Sequence, residues 1–166
     1  MSTDQQHVRV QLGDRAYDID IGADLLNTLP GQVADRCDVR HAVVITDDNV
    51  KPLYGESTLA ALEKAGITAH LLSVAAGEPS KSIDQANELW QQVLASGADR
   101  KTVVIAVGGG VVGDLAGFVA ATFGRGVPFV QVPTTLLAQV DSSVGGKVGI
   151  NSVSYTHLTL PTTPYV

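Results

Sequence analysis

Apolar and polar positions alternate strictly along Tyr17-Asp18-Ile19-Asp20-Ile21, the pattern of a strand with one face buried. A second β-type run at residues 8–12 precedes it, and Gly13-Asp14-Arg15 between them predicts a hairpin. The pattern changes to a helical period over 23–36, where Pro30 and Gly31 must interrupt or distort the helix. From residue 41 the chain alternates between short apolar runs and helical segments. Residues 41–46 (HAVVIT) predict a strand ending in Asp47-Asp48-Asn49. Leu59, Leu62 and Ala65 at helical spacing predict a helix that stops at Gly66. Residues 67–74 predict a strand, followed by a loop at 76–81. Ser82 has the character of an N-cap for a helix that puts Ile83, Ala86, Leu89, Trp90, Val93 and Leu94 on one core-facing side and ends near Gly97. A strand at 103–107, a helix running through 115–122, a strand at 129–132 and a short helix carrying Leu136, Leu137 and Val140 complete the series.

Wholly apolar strands alternating with helices predict an α/β fold: a Rossmann-like parallel sheet with helices on both faces, here preceded by an N-terminal β-hairpin. Ligands of such sheets sit beyond the carboxyl ends of the strands. Those ends carry Asp47 to Asn49, the 76–81 loop, Gly108 to Asp114, and Pro133-Thr134-Thr135, all small or polar. Four loops are therefore expected to face one crevice.

Between Thr102 and Asn151 charge almost vanishes. That stretch holds four charged side chains (Asp114, Arg125, Asp141 and Lys147) and ten of the seventeen glycines. An isolated charge in apolar surroundings is costly to bury, which marks these four as candidates for chemistry. Gly108-x-Gly110-x-x-Gly113, between a predicted strand and a predicted helix, has the spacing of a dinucleotide-binding turn. A backbone without side chains can approach a phosphate there, and the helix N-terminus supplies free N–H groups. The alternative is a close-packed turn without a ligand. An ordinary Rossmann order needs an acid at the end of the next strand, but that strand (FVQV) ends in Pro133 and Thr134. The acid stands upstream instead, at Asp47. An ATP-binding P-loop is excluded at Gly145-Gly146-Lys147, because position 141 is Asp and Val148 replaces the required Ser or Thr.

The net charge of −6 and a pI near 5.0 argue against a general nucleic-acid surface. Cys37 is the only cysteine, so neither an intrachain disulfide nor a cysteine metal cluster can form, and a passive role is expected of it. The N-terminal residues lack a basic segment followed by an apolar core, and no apolar stretch is long enough to span a bilayer. A cytoplasmic setting with no membrane partner is expected.

The combination of GGGVVGD, an arginine eleven residues after its Asp, VPTTLLAQVDSS and GGK closely resembles 3-dehydroquinate synthase of the shikimate pathway, in the sugar-phosphate cyclase superfamily. The match is dense over 102–151 and looser through GEPSKS (77–82) and ITDDNV. The resemblance implies a lyase that converts DAHP to 3-dehydroquinate and phosphate with catalytic NAD and a divalent metal, zinc or cobalt. It implies that Asp47 and Asn49 lie near the adenosine half of NAD, that Glu78 and Lys81 contact the cofactor, and that Gly109, Gly110, Val111, Val112, Gly113 and Asp114 hold its pyrophosphate and nicotinamide side. Thr134 and Thr135 would hydrogen-bond NAD. Asp141 and Lys147 would meet cofactor and substrate. Arg125 would reach the substrate phosphate across the interface of a homodimer. Each residue also has an ordinary reading: Asp114 as a first-turn acid, Arg125 as a solvated loop residue, Glu78 and Lys81 as a surface pair, Asp47 as a cap, and Thr134 as an N-cap.

The resemblance places the metal ligands, one Glu and two His, in a helical C-terminal domain beyond the length of this chain. His7, His41, His70 and His157 have no paired ligand spacing. The expected organisation is a truncated NAD-binding domain at 1–151 and a tail at 152–166. That tail contains no Asp, Glu, Lys or Arg and is read as foreign to the family, from a truncated gene call, a vector junction or a sequencing adapter; a divergent β-terminus is the alternative. The chain alone is expected to be inactive. A 2-deoxy-scyllo-inosose synthase-like cyclase, a polyol dehydrogenase and a non-catalytic NAD-binding fragment are the competing readings.

Overall fold

The computed structural model describes residues 5–13, 16–36, 38–152 and 155–161. The turn at Asp14 and Arg15, Cys37, and the side chains of 153–166 lie outside that description.

Two antiparallel strands, β1 (Gln6–Val10) and β2 (Tyr17–Ile21), form the expected hairpin. Arg9 Nη1 donates to both carboxylate oxygens of Asp18 at 2.8 Å across it. The helical stretch that follows is divided as Pro30 and Gly31 require. A 3-10 turn spans Leu25–Asn27, and α1 (Leu29–Arg36) begins afresh. Pro30 falls in its first turn, where no backbone N–H is needed.

The main sheet contains β3 (His41–Asp47), β4 (Thr68–Val74), β5 (Val103–Gly108) and β6 (Phe129–Pro133). All pair parallel, in the order β4-β3-β5-β6. The connecting helices are α2 (Glu56–Lys64), α3 (Ile83–Ala95) and α4 (Gly110–Thr122). Strand periodicity sorts the core into two layers. Val43, Ile45, Val104 and Ala106 point to the side covered by α3 and α4, where they meet Leu89, Val93, Leu115 and Val119. Val44, Ile105 and Val107 point to the side covered by α1 and α2, where they meet Val33 and Leu62. Every residue of β5 is buried, which explains why it reads as a continuous apolar run.

The helix boundaries follow local chemistry. Ser82 Oγ accepts from Gln85 N at 3.2 Å and caps α3 as expected. Gly66 and Gly97, at φ +82° and +83°, take the left-handed conformation just beyond α2 and α3. The face of α3 is narrower than its sequence suggests: Ala86, Leu89 and Val93 are buried, Trp90 is half-buried, and Ile83 and Leu94 are exposed. Trp90 lies at the rim because its indole N–H donates to Thr122 Oγ1 at 3.1 Å, beside the Phe118 ring.

One element was absent from the sequence expectations. Strand β7 (Lys147–Ser152) lies outside the main sheet, packs across α4 and pairs antiparallel with β8 (Tyr155–Pro161). Val148 and Ile150 of β7 enter the same core layer as α3 and α4. Gly117 permits this, since a Cβ there would stand 2.3 Å from Val148 Cγ1. Among the described residues no helix is long and apolar enough to cross a membrane.

Candidate functional site

The order β4-β3-β5-β6 creates a switch point. From β3 the chain moves outward through α2 to β4, then returns through α3 on the opposite face to β5. Between β3 and β5 the connections diverge, so a crevice opens beyond their carboxyl ends. Asp47 ends β3 on one side of it and Gly108 ends β5 on the other. Its floor is closed by the buried Thr46 hydroxyl, which donates to Val107 O at 2.7 Å.

The glycine turn forms the inner wall. Gly109 is the extended N-cap of α4 and Gly110 its first residue. A Cβ at Gly109 would lie 3.2 Å from Thr135 Cγ2, and one at Gly110 would lie 3.1 Å from Ser142 Oγ. No acidic side chain occupies the first turn of this 13-residue helix, so its leading N–H groups are uncompensated by a carboxylate. Gly113 has a different function. A Cβ there would meet Gln131 Oε1 at 2.9 Å, so this glycine lets α4 pack closely on β6. Val112 is buried against Gly108, and Val111 is half-buried. Thr134 N donates to Gly108 O at 2.9 Å and fixes the end of β6 against the turn. Thr134 Oγ1 is buried and has no hydrogen-bond partner. The N-cap role that was the alternative reading of Thr134 falls to Thr135, whose Oγ1 accepts from Ala138 N at 3.2 Å.

Beside the turn lies an open pocket of about 280 Å³ whose polar lining is Lys81, Asp114, Asp141, Ser142 and Lys147. Val144, Val148 and Ile150 supply the apolar wall. Lys81 Nζ and Asp114 Oδ2 form an ion pair at 2.5 Å, with side-chain exposures of 14% and 23%. Asp114 stands in the second turn of α4 rather than the first, which directs it to Lys81 and away from the helix terminus. Asp141 and Lys147 are exposed, so among the four isolated charges the cost of burial falls on Asp114.

The predicted site residues thus separate into groups. Lys81, Asp114, Asp141 and Lys147 share the pocket, while Gly109, Gly110, Thr134 and Thr135 share the adjoining turn. Asp47 caps the turn after β3, its Oδ1 accepting from Asn49 N and Val50 N at 2.9 Å each. The alternative reading of Glu78 and Lys81 as a surface pair does not hold. Lys81 reaches Asp114, and Glu78 Oε1 accepts from Asn151 Nδ2 at 2.9 Å. Arg125 lies beyond the far end of α4, about 20 Å along the helix from Gly110. It does not line the pocket of its own chain. Ser142 and the β7 residues 148–150 were missed by sequence reasoning, although the alternation Lys147-Val148-Gly149-Ile150-Asn151 is a strand signal. Among the described residues no group of three or more His, Cys, Asp or Glu side chains converges as a metal site.

The family model for the 3-dehydroquinate synthase N-terminal region matches residues 71–158, a span that enters the stretch expected to be foreign. The 3-dehydroquinate synthase of Symbiobacterium thermophilum is 54% identical over 143 residues, which cover 86% of this chain and 40% of the relative. That of Rhizobium leguminosarum bv. trifolii is 52% identical over 147 residues, covering 89% and 39%. The chain therefore spans about two fifths of the length of these curated relatives. A solved 2-deoxy-scyllo-inosose synthase, complexed with carbaglucose-6-phosphate, NAD+ and Co2+, superposes with a TM-score of 0.87 at 26% identity, covering 97% of this chain and 45% of that one. The 2-epi-5-epi-valiolone synthase of Streptomyces hygroscopicus, with NAD+ and Zn2+ bound, gives 0.68 at 30% identity, covering 80% and 38%. Glycerol dehydrogenase from Schizosaccharomyces pombe, at 22% identity and a TM-score of 0.67 over 84% of this chain and 33% of that one, shares the fold. A glycine turn at a sheet switch point, a lysine-bearing pocket beside it and these likenesses converge on one assignment: the chain belongs to the 3-dehydroquinate synthase family and corresponds to its N-terminal region.

Proposed function

We propose that this chain supplies the NAD-binding half of a 3-dehydroquinate synthase. The observation that carries the reading is the buried Thr134 hydroxyl, left without a partner beside the side-chain-free opening of α4 at the switch point. A buried hydroxyl without a hydrogen bond costs about 1–3 kcal/mol, and a ligand bound in the turn would remove that cost. The residues present fit a dinucleotide. The leading N–H groups of α4 would bind its pyrophosphate, and Gly109 and Gly110 would admit it closely. Thr134 and Thr135 would orient the cofactor, Asp47 and Asn49 would face its adenosine half, and Asp114 would hold Lys81 toward it. Glu78 would border this site.

When bound, NAD would accept a hydride from a ring carbinol and later return it, acidifying a neighbouring proton for phosphate elimination. This chain's contribution to that chemistry is positional. Lys147 supplies a cation at the pocket mouth for an anionic sugar phosphate such as DAHP, and Asp141 accepts from its hydroxyls. Arg125 would serve a second subunit's phosphate site in a homodimer, a role supported by its distance from its own pocket. The described residues do not fit a divalent metal, since no three His, Cys, Asp or Glu side chains among them converge. Turnover is assigned to the longer family chain, in a cytoplasmic setting, and residues 1–151 are its NAD-binding unit. Identity of 54% to 3-dehydroquinate synthase against 26% to the inosose synthase favours DAHP over other cyclase substrates. Calorimetric titration with NAD+ tests the proposal: wild type binds and Gly110→Trp does not. Equal binding by both, or by neither, would remove it.

A further inference from the structure

Strand β7 leaves the pocket at Lys147 and ends beside a second pocket element, the loop that carries Lys81. Two hydrogen bonds join them. Asn151 N donates to Lys81 O at 2.8 Å, and Asn151 Nδ2 donates to Glu78 Oε1 at 2.9 Å. A parallel bridge pairs Ser82 with Asn151 at the same point. The rest of the loop is held from within: Ser80 Oγ donates to Ala75 O at 2.6 Å, Ser80 N donates to Gly77 O at 3.2 Å, and Ser82 caps α3. Lys81 itself, at φ −78° and ψ 59°, is the centre of an inverse γ-turn that Ser82 N closes on Ser80 O at 2.9 Å. Its side chain then crosses to Asp114 in α4.

We infer that Asn151 is a positioning residue: it latches the Glu78–Lys81 loop to β7 so that the Lys81 ammonium is held toward the dinucleotide. The inference rests on the dinucleotide reading. Asn151 need not touch the ligand. It acts through Lys81, because β7 is anchored by Val148 and Ile150 in the core and transmits that rigidity to the loop. The side chain required is an amide. A carboxylate at 151 would face the Glu78 carboxylate, and like charges in contact repel.

The test is a double-mutant cycle on NAD+ affinity, with Asn151→Ala, Lys81→Ala and both, in the full chain at constant salt. Asn151→Ala is expected to weaken NAD+ about five- to tenfold, the effect of the one lost side-chain hydrogen bond to Glu78, the backbone bond to Lys81 O being kept. In the Lys81→Ala background the same change is expected to have almost no further effect, because the residue it positions is gone. Asn151→Asp supplies a second reading: its carboxylate would face that of Glu78, so NAD+ affinity is expected to fall at least as far as in Asn151→Ala and to recover when Glu78→Gln is added, which restores a donor. Wild-type affinity in Asn151→Ala, losses that simply multiply in the double variant, or an Asn151→Asp deficit that Glu78→Gln does not relieve would each overturn the latch. Failure of wild type itself to bind NAD+ would instead overturn the dinucleotide reading, and the latch with it.

Discussion

Lys81 and Asp114 form an ion pair at 2.5 Å, 14% and 23% exposed, that joins the loop after β4 to the second turn of α4. The pair lies between the exposed regime, where such contacts contribute about 0–1 kcal/mol, and the buried regime, where losing one partner costs about 3–5 kcal/mol. Asp114→Asn is therefore expected to lower stability by roughly 1–2 kcal/mol. A shift in the urea midpoint at unchanged slope would report it, and a midpoint equal to wild type would mean that solvent already screens the pair.

Gly117 bears on the opposite wall of the pocket. An added Cβ would stand 2.3 Å from Val148 Cγ1 and 3.1 Å from Phe129 Cε1, both buried. Neither neighbour is a flexible side chain that can swing away. Gly117→Ala is expected to destabilise by about 1–3 kcal/mol despite the higher helix propensity of alanine. Because Val148 follows Lys147, the displacement should also loosen the pocket. Thermal unfolding combined with hydrogen exchange at residues 147–151 would detect both effects. A variant as stable and as protected as wild type would show that β7 does not depend on this contact.

The four central strands were legible because each is a short apolar run and two are covered on both faces. The glycine turn was legible because nothing but glycine stands where α4 begins. The position of Asp114 was less so: Gly109, Gly110 and Gly113 contribute no side-chain period, so the first turn of α4 cannot be counted from the pattern. Lys81 and Asp114 are joined by the packing of a loop against a helix from another crossover, a relation that no local spacing encodes. β7 was missed for a related reason. Its two apolar residues are separated by Gly149, preceded by Gly145 and Gly146, and buried by α4 rather than by the main sheet. Leu94 shows the converse, since an apolar residue at a helical position is not thereby in the core.

At the amino edge of the sheet, Lys101 acts on two aspartates. Its ammonium binds Asp38 Oδ2 at 3.0 Å, and that hydrogen bond and charge, with Arg40 adding to them, hold the Asp38 carboxyl below its usual value. Asp99 is also lowered, first by the hydrogen bond its carboxylate accepts from the Lys101 backbone N–H and then by bonds from Thr102. A carboxyl with a depressed folded pKa contributes stability above its unfolded pKa and loses it as pH falls through the folded value. Lys101→Met removes the ammonium but keeps the backbone donor, so it should affect Asp38 and spare Asp99. The expected result is a small melting-temperature deficit at about pH 6 that fades as the pH falls through the depressed Asp38 value and shrinks with added salt. A deficit that grew on acidification would contradict this sign.

Thr134 offers the sharpest separation of stability from binding. Its hydroxyl is buried, has no partner and sits on the residue whose N–H anchors the glycine turn through Gly108 O. Thr134→Val keeps the branched shape and the backbone bond while removing only the oxygen. Without ligand, the change should be neutral or stabilising by up to about 1 kcal/mol, because an unsatisfied buried polar group is replaced by a methyl. With ligand, the hydrogen bond that Thr134 would make to the dinucleotide is lost, and NAD+ affinity should fall roughly fivefold. The two measurements, chemical denaturation of the free chain and calorimetric titration with NAD+, are thus expected to move in opposite directions. A valine variant that lost stability and affinity together would show that the hydroxyl serves the fold, and one that lost neither would take Thr134 out of the site.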